Sequence, residues 1–246
     1  MHRFGLIGKN ISYSFSRGYF EKKFLNEDIT DASYENFDIQ TIEEFPNIIK
    51  QTKHLSGLNV TIPYKEAIIP FLNKLDKTAR SIGAVNTIKI NEKGKLKGYN
   101  TDYYGFKKSL KPFLEKHHQK ALILGTGGAS KAIAFALKEM DIEFTYVSSS
   151  GKKNSISYEM LDERLIKQNS LIINCTPLGT FPNVENCPNI PYQYLTENHI
   201  LYDLIYNPSE TKFLKKGKEK GCTVINGLKM LEFQAEKAWT IWTKNR

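Results

Sequence analysis

ALILGTGGAS, residues 121–130, is a short apolar run that ends in a glycine cluster, Gly125, Gly127 and Gly128. Four or five apolar residues bounded by glycines suit a strand buried on both faces. The glycines let the backbone turn sharply and approach a ligand closely. A helix over residues 130–140 then aims its free N–H groups into the turn, where a phosphate is the usual occupant. The spacing is G-x-G-x-x-S, with Ser130 in the third place. On its own the pattern equally describes a strand-to-helix turn that binds nothing.

C-terminal to this turn the α/β alternation continues. A strand is expected over residues 143–147, followed by the loop Ser148, Ser149, Ser150, Gly151, Lys152, Lys153. In a dinucleotide fold that loop meets the adenosine ribose; an acidic residue there binds a free 2′-hydroxyl and a cation suits a 2′-phosphate. With no Asp or Glu present, the hydroxyls and Lys152/Lys153 favour NADP over NAD. A helix over 161–168 and a strand over 171–174 follow. The loop over 175–191 is rich in Pro, Asn and Gly, and its length suggests a task. A strand over 199–203, a helix over 211–220 and a strand over 223–226 lead to a last helix over 228–242. That helix has Leu228, Leu231, Ala235, Ala238 and Trp242 at helical spacing. Gln234 falls on the same apolar side, so it needs either a core hydrogen bond or a ligand.

Towards the N-terminus, strands are expected over residues 4–7, 34–39, 57–62, 85–90 and 95–99. Ser14 and Ser16 alternate with aromatic residues and share one side. They can cap the following helix or bind a carboxylate or polyol, and capping fits Ser better. Thr41 and Glu44 have capping-box spacing ahead of a helix within 41–53. Lys65 lies just past the carboxyl end of the strand GLNVTI, where open α/β sheets keep their ligands. A cation in the first turn of a helix over 65–72 would oppose the helix dipole, which hints at another task. Asp102 reads as the N-cap of a helix over 103–110. The polar segment 111–120 contains His117 and His118, adjacent residues that point apart with no third ligand nearby. They mark a helix end rather than a metal site.

With 246 residues the chain suits two domains of roughly 100–150 residues each. Its net charge is +9, from 35 Lys+Arg against 26 Asp+Glu. The lysines are dispersed, and the densest cluster, residues 212–220, carries Glu219 on a helix. This reads as a solvated surface and not as a nucleic-acid stripe. Three cysteines, Cys175, Cys187 and Cys222, are too few and too scattered for a disulfide scaffold or zinc site and fit a reducing cytoplasm. No signal peptide and no bilayer-length apolar run are expected.

In order, GLIGKNISYSFS, GLNVTIPYKE, IGAVNT, GYNTDYYGF, GTGGAS, INCTPLGT, YDLIYNP and NGLKMLEFQA resemble the shikimate dehydrogenase (shikimate/quinate dehydrogenase) family over nearly the whole chain. The resemblance implies a two-domain α/β fold. Residues 1–102 with 228–246 would form a substrate-binding domain and residues 103–227 a Rossmann-like NADP-binding domain, with the active site in the cleft between them. The activity implied is reversible reduction of 3-dehydroshikimate to shikimate with NADPH, in chorismate and aromatic amino-acid biosynthesis. By the same resemblance Lys65 and Asp102 are the catalytic pair. Ser14, Ser16, Asn59, Thr61, Asn86, Tyr206 and Gln234, together with Asp102, contact the substrate. Gly125, Thr126, Gly127, Gly128, Ala129 and Ser130 form the pyrophosphate loop, and Asn174, Thr176, Leu204 and Gly227 line the nicotinamide end.

The residue types suit the chemistry. Hydride transfer to a ketone builds charge on oxygen, which a cation or proton donor must meet. Two motifs depart from the family. Tyr13 and Arg17 stand where it has His and Pro around the serine pair. Ser148-Ser149-Ser150 replaces Asn-Arg-Thr, so Lys152 or Lys153 would substitute for the arginine. The partner expected is a small molecule, with no nucleic acid, membrane or metal, and the assembly a monomer or homodimer. An NAD-dependent quinate/shikimate dehydrogenase and a catalytically silent binding protein of the same fold are the alternatives.

Overall fold

The computed structural model describes all residues except Tyr13, Ser150, Lys152, Lys153, Asn245 and Arg246. The expected cofactor contacts of Ser150, Lys152 and Lys153 therefore lie outside the described residues. The chain divides into two units, Met1–Thr101 with Ala235–Arg246, and Asp102–Gln234.

In the first unit the elements are β1 (His2–Gly8), α1 (Phe15–Asn26), β2 (Ala32–Asp38), α2 (Phe45–Gln51), β3 (Leu55–Val60), β4 (Lys74–Leu75), α3 (Lys77–Ile82), β5 (Thr87–Ile90) and β6 (Leu96–Tyr99). The sheet order is β2-β1-β3-β5-β6-β4. β1 pairs in parallel with β2 and β3, and β5 runs antiparallel to β3 and β6. Alternation sorts the strand side chains onto two faces. Phe4 and Leu6 meet Phe20 and Phe24 of α1, while Ile7, Leu58 and Val60 meet Phe45 of α2 and Ala79 of α3.

The second unit holds α4 (Asp102–Leu110), β7 (Lys120–Leu124), α5 (Gly128–Lys138), β8 (Glu143–Val147), β9 (Ser155–Ile156), α6 (Glu163–Gln168), β10 (Leu171–Asn174), β11 (Ile200–Asp203), α7 (Lys212–Lys218), β12 (Thr223–Ile225) and α8 (Leu228–Thr243), the last running on into the first unit. Its sheet is wholly parallel, in the order β12-β11-β10-β7-β8-β9. Counted within the unit this is 3-2-1-4-5-6 read from β9, the doubly wound dinucleotide order. Ala121, Ile123, Leu171, Ile173, Ile200 and Tyr202 face α4, α5 and the start of α8. Leu122, Leu124, Ile172 and Leu201 face α6 and α7. Both faces are covered, which is why these strands read as continuous apolar runs.

One expected element is absent. Residues 65–72 form successive turns and a single 3-10 turn, Ile69–Phe71, in place of a helix. Pro70 cannot donate a helical N–H and its ring clashes with the preceding turn. Lys65 is thus not in a helix's first turn, and the dipole argument for it does not apply.

The end of α8 completes the first unit. Trp242 is 2% exposed, stacks on Phe4 at 4.8 Å between ring centroids and donates its indole N–H to the Ile88 carbonyl at 2.9 Å. The indole lies against Gly57, and a Cβ there would overlap it. Gly57→Ala should cost about 2 kcal/mol by overpacking. The chain has two tryptophans, Trp239 and Trp242, both in this cluster. Urea unfolding followed by tryptophan emission would read the loss directly, and an unchanged midpoint would refute the packing account.

Candidate active site

In the first unit the chain reverses its direction of travel between β1 and β3. From β1 it crosses over the α1 face to β2; it reaches β3 over the α2 face. Such a pair opens a crevice at its carboxyl ends, where ligands bind in open α/β sheets. The loop carrying Ser14 and Ser16 follows β1, and Thr61 and Lys65 follow β3. The β1 loop is clamped from β2. Asp38 accepts from the Asn10 and Ile11 amides at 2.9 and 3.1 Å, and Asn36 donates to the Ile11 carbonyl at 3.1 Å. Ser14 caps α1, accepting from the Ser16 amide at 3.2 Å, as the capping reading expected.

Behind these loops lies a buried polar network. Asn59 is 4% exposed; its Nδ2 donates to the Asn86 carbonyl and to Thr87 Oγ1, both at 3.3 Å, and its Oδ1 accepts from the Tyr34 hydroxyl at 2.8 Å. Asn86 Oδ1 accepts from the Thr101 amide at 2.7 Å and its Nδ2 donates to Thr101 Oγ1 at 3.0 Å. Burial pushes the Tyr34 phenol well above its ordinary range. Asn59 and Asn86 are therefore joined with Tyr34, Thr87 and Thr101. Satisfied buried networks of this kind rigidify the groups they contain. Lys65 is fixed at its backbone, its carbonyl accepting from the Val85 amide at 2.7 Å, one residue before Asn86. Thr61 is held by its own amide, which donates to the Ile7 carbonyl at 2.9 Å.

Tyr34, Thr87 and Thr101 were not singled out in the sequence. The two threonines adjoin Asn86 and Asp102 in IGAVNT and GYNTDYYGF, so adjacency could have flagged them. Tyr34 looks like any strand aromatic, and only the packed structure reveals its hydroxyl's partners.

In the second unit β7 and β10 form the equivalent reversal, β7 crossing over the α5 face and β10 over the α7 face. The glycine turn follows β7. Gly125 has φ 98°, a left-handed value that favours glycine, and its amide donates to the Val147 carbonyl at 2.8 Å. Gly127 is the N-cap of α5. The Ser130 hydroxyl donates back to the Gly127 carbonyl at 2.7 Å, which closes the turn. The Gly128 and Ala129 amides precede the first bond of the helix, from the Ser130 amide to the Gly127 carbonyl at 3.0 Å, and with the glycine turn they fit a dinucleotide pyrophosphate. Ser148 is buried and Ser149 exposed beyond β8.

Beside the turn, Asn174 ends β10. Its Oδ1 accepts from the Thr176 amide at 3.0 Å and hydroxyl at 2.6 Å. Its Nδ2 donates to Asp203 Oδ1 at 3.0 Å. Leu204 and Gly227 touch: a Cβ at Gly227 would run into the Leu204 carbonyl, and the Gly227 amide donates to the Ile205 carbonyl at 3.0 Å. Asp102, 6% exposed, opens α4, which approaches α8 closely at Gly105, where a Cβ would strike the Met230 carbonyl. Gln234 is 7% exposed and donates to the Leu231 carbonyl at 3.0 Å. Tyr206 is half-buried after β11. No cluster of His, Cys, Asp or Glu that could hold a metal occurs among the described residues.

A mixed α/β unit whose polar groups line strand ends, together with a doubly wound unit bearing a glycine turn, defines an α/β protein of the dinucleotide-dependent class. A model of the shikimate dehydrogenase substrate binding domain matches residues 6–88. A Clostridium botulinum protein named shikimate dehydrogenase (NADP(+)) is 40% identical over 256 residues, covering 100% of this chain and 98% of its own. A crystal structure of shikimate dehydrogenase 1 from Peptoclostridium difficile is 38% identical, with TM-score 0.84, covering 100% of this chain and 93% of that one. The Thermus thermophilus shikimate 5-dehydrogenase, solved in complex with NADP(H) and shikimate, is 31% identical, with TM-score 0.87, covering 99% and 94%. The chain belongs to the shikimate dehydrogenase family.

Burial pushes the Asp203 carboxyl up to about 6 from 3.8, against the opposing pull of its hydrogen bonds from Thr211, Ile205 and Asn174. The folded value exceeds the unfolded one, so folding takes up a proton between them. The group's contribution to stability is full below 3.8 and is lost as pH rises through about 6, a difference of ~3 kcal/mol. Urea midpoints at about pH 4 and about pH 7 should fall more steeply for the native chain than for Asp203→Asn, which cannot titrate. Equal slopes would refute the assignment.

Proposed function

We propose that the chain catalyses the reversible NADPH-dependent reduction of 3-dehydroshikimate to shikimate, the step that leads towards chorismate and the aromatic amino acids. The observation that carries this reading is the likeness along the whole chain to NADP(+)-dependent shikimate dehydrogenases. The polar groups at the ends of β1 and β3 support it. A polyhydroxylated ring acid needs buried, preordered donors and acceptors, and a site built this way strongly rejects analogues that leave them unpaired.

Ser14 and Ser16 bind the substrate carboxylate, with Tyr206 near it. Thr61, Asn86, Asp102 and Gln234 contact the ring hydroxyls or the carboxylate, and Asn59, in the same strand motif as Thr61, belongs to the substrate-binding set. Lys65 donates a proton to the oxygen that gains charge, and Asp102 accepts from the neighbouring hydroxyl. The residues Gly125, Thr126, Gly127, Gly128, Ala129 and Ser130 hold the pyrophosphate. Asn174, Thr176, Leu204 and Gly227 receive the nicotinamide, and Ser148, Ser149, Ser150, Lys152 and Lys153 meet the adenosine end. The bound dinucleotide supplies the hydride. The protein works in the cytoplasm, which suits its three free thiols, as a monomer or homodimer.

Lys65→Ala should lower kcat by about a hundredfold or more while the shikimate KM changes little, the signature of a lost proton donor. Unchanged turnover would remove Lys65 from the reaction. A second reading, NAD-dependent oxidation of quinate or shikimate, is favoured by one feature: Ser149 stands where the family's arginine would meet a 2′-phosphate. Oxidation of shikimate and of quinate, each followed at the nicotinamide absorbance with NADP and with NAD, separates the two. NADP with shikimate should give the highest kcat/KM, and a higher value for NAD would reverse the cofactor assignment.

A further inference from the structure

Asp203 is a charged residue that the proposed chemistry does not use, yet it is 0% exposed at the carboxyl end of β11. Its Oδ1 accepts from Asn174 Nδ2 at 3.0 Å and from the Ile205 amide at 3.1 Å. Its Oδ2 accepts from the Thr211 hydroxyl at 2.6 Å. One carboxylate thereby ties the end of β10, the turn after β11 and the N-cap of α7. Burying a carboxylate is costly unless its lone pairs are met, and the three donors meet them.

We propose that Asp203 is a positioning residue for the cofactor half of the site: its buried carboxylate fixes the Asn174 side chain and the turn at Leu204–Ile205 in the shape that receives a nicotinamide dinucleotide. The inference rests on the functional reading above and adds to it a residue that touches neither substrate nor cofactor. An asparagine amide can flip, exchanging its donor and acceptor ends. Asp203 removes that freedom, because a carboxylate accepts only. Asn174 must present Nδ2 to Asp203, and its Oδ1 is thereby turned to the Thr176 amide and hydroxyl. The Ile205 amide, held by the same carboxylate oxygen, sets the turn that brings the Leu204 carbonyl against Gly227. Four groups assigned to the nicotinamide end, Asn174, Thr176, Leu204 and Gly227, thus take their arrangement from one side chain. Burial, with a smaller push from the Asp203 charge, raises the Cys175 thiol and the Tyr192 phenol far above their ordinary values.

The test is NADPH affinity by nicotinamide fluorescence titration, set beside the shikimate KM. Asp203→Ala should weaken NADPH binding by about tenfold or more, the usual cost of stranding buried donors, and leave the shikimate KM within about twofold. Asp203→Asn keeps the volume and is the variant to read if Asp203→Ala does not fold. It can hold only some of the donors and should weaken NADPH by about three- to tenfold. Thr211→Val removes the α7 cap and the donor to Oδ2 but leaves Asn174 and the Ile205 amide on Oδ1, so it should lower stability with a smaller effect on NADPH than either Asp203 variant. The proposal is overturned if Asp203→Asn binds NADPH as the native chain does, if Thr211→Val matches it, or if both ligands weaken together. A native chain that binds NADPH but oxidises no shikimate would overturn the functional reading instead, with the binding comparison still decisive for Asp203.

Discussion

A parallel strand pair can be joined only by a crossover over one face of the sheet. Where neighbouring strands send their crossovers over opposite faces, no connection covers the gap at their carboxyl ends. β1 with β3, and β7 with β10, are the pairs that meet this condition. The loop with Ser14 and Ser16, the segment from Thr61 to Lys65, the glycine turn and the Asn174–Thr176 segment all hang from these strand ends. The rest of each unit keeps the two strands parallel and in register, and so keeps those groups apart by a set distance within their own unit.

The two sets of strand ends are made rigid by different physics. In the first unit the network through Tyr34, Asn59, Asn86, Thr87 and Thr101 is neutral, and each amide or hydroxyl finds a buried partner. Neutral pairs exchange water for protein at little net gain or loss. In the second unit a charge is buried instead, and that burial pushes the Asp203 carboxyl up to about 6. A charge restricts its neighbours more tightly, because only donors can face it. The neutral network suits a surface that must match several hydroxyls; the charged one suits a loop that must hold a single shape.

Much of this was legible in the sequence. The runs at residues 143–147 and 171–174 coincide with β8 and β10, because apolar strands bounded by polar or glycine residues leave little room for error. The glycine turn was legible because a left-handed Gly125 and a helix start at Gly128 are local demands. β4 and β9, each two residues long, were not, since no periodicity develops over so short a run. The helix expected over residues 65–72 does not form, because Pro70 lacks the N–H that a helix there would need. Of the site, the groups with a motif could be found: Lys65, Asn86, Asp102 and the glycines. Tyr34 and Asp203 could not, because the partner that ties each to the site, Asn59 for Tyr34 and Asn174 for Asp203, lies more than twenty residues away, and a one-dimensional pattern holds no record of that meeting.

The Trp242 indole packed on Phe4 and against Gly57 has a bearing on biogenesis. Residues 102–234 form an unbroken stretch that can fold as it leaves the ribosome, whereas the first hundred residues wait for the last dozen. The segment made first is thus finished last, and a nascent chain truncated before Ala235 leaves Phe4, Phe20 and Phe24 without the helix that shields them. Premature termination near the end of the message would yield an aggregation-prone product rather than a slightly shortened enzyme.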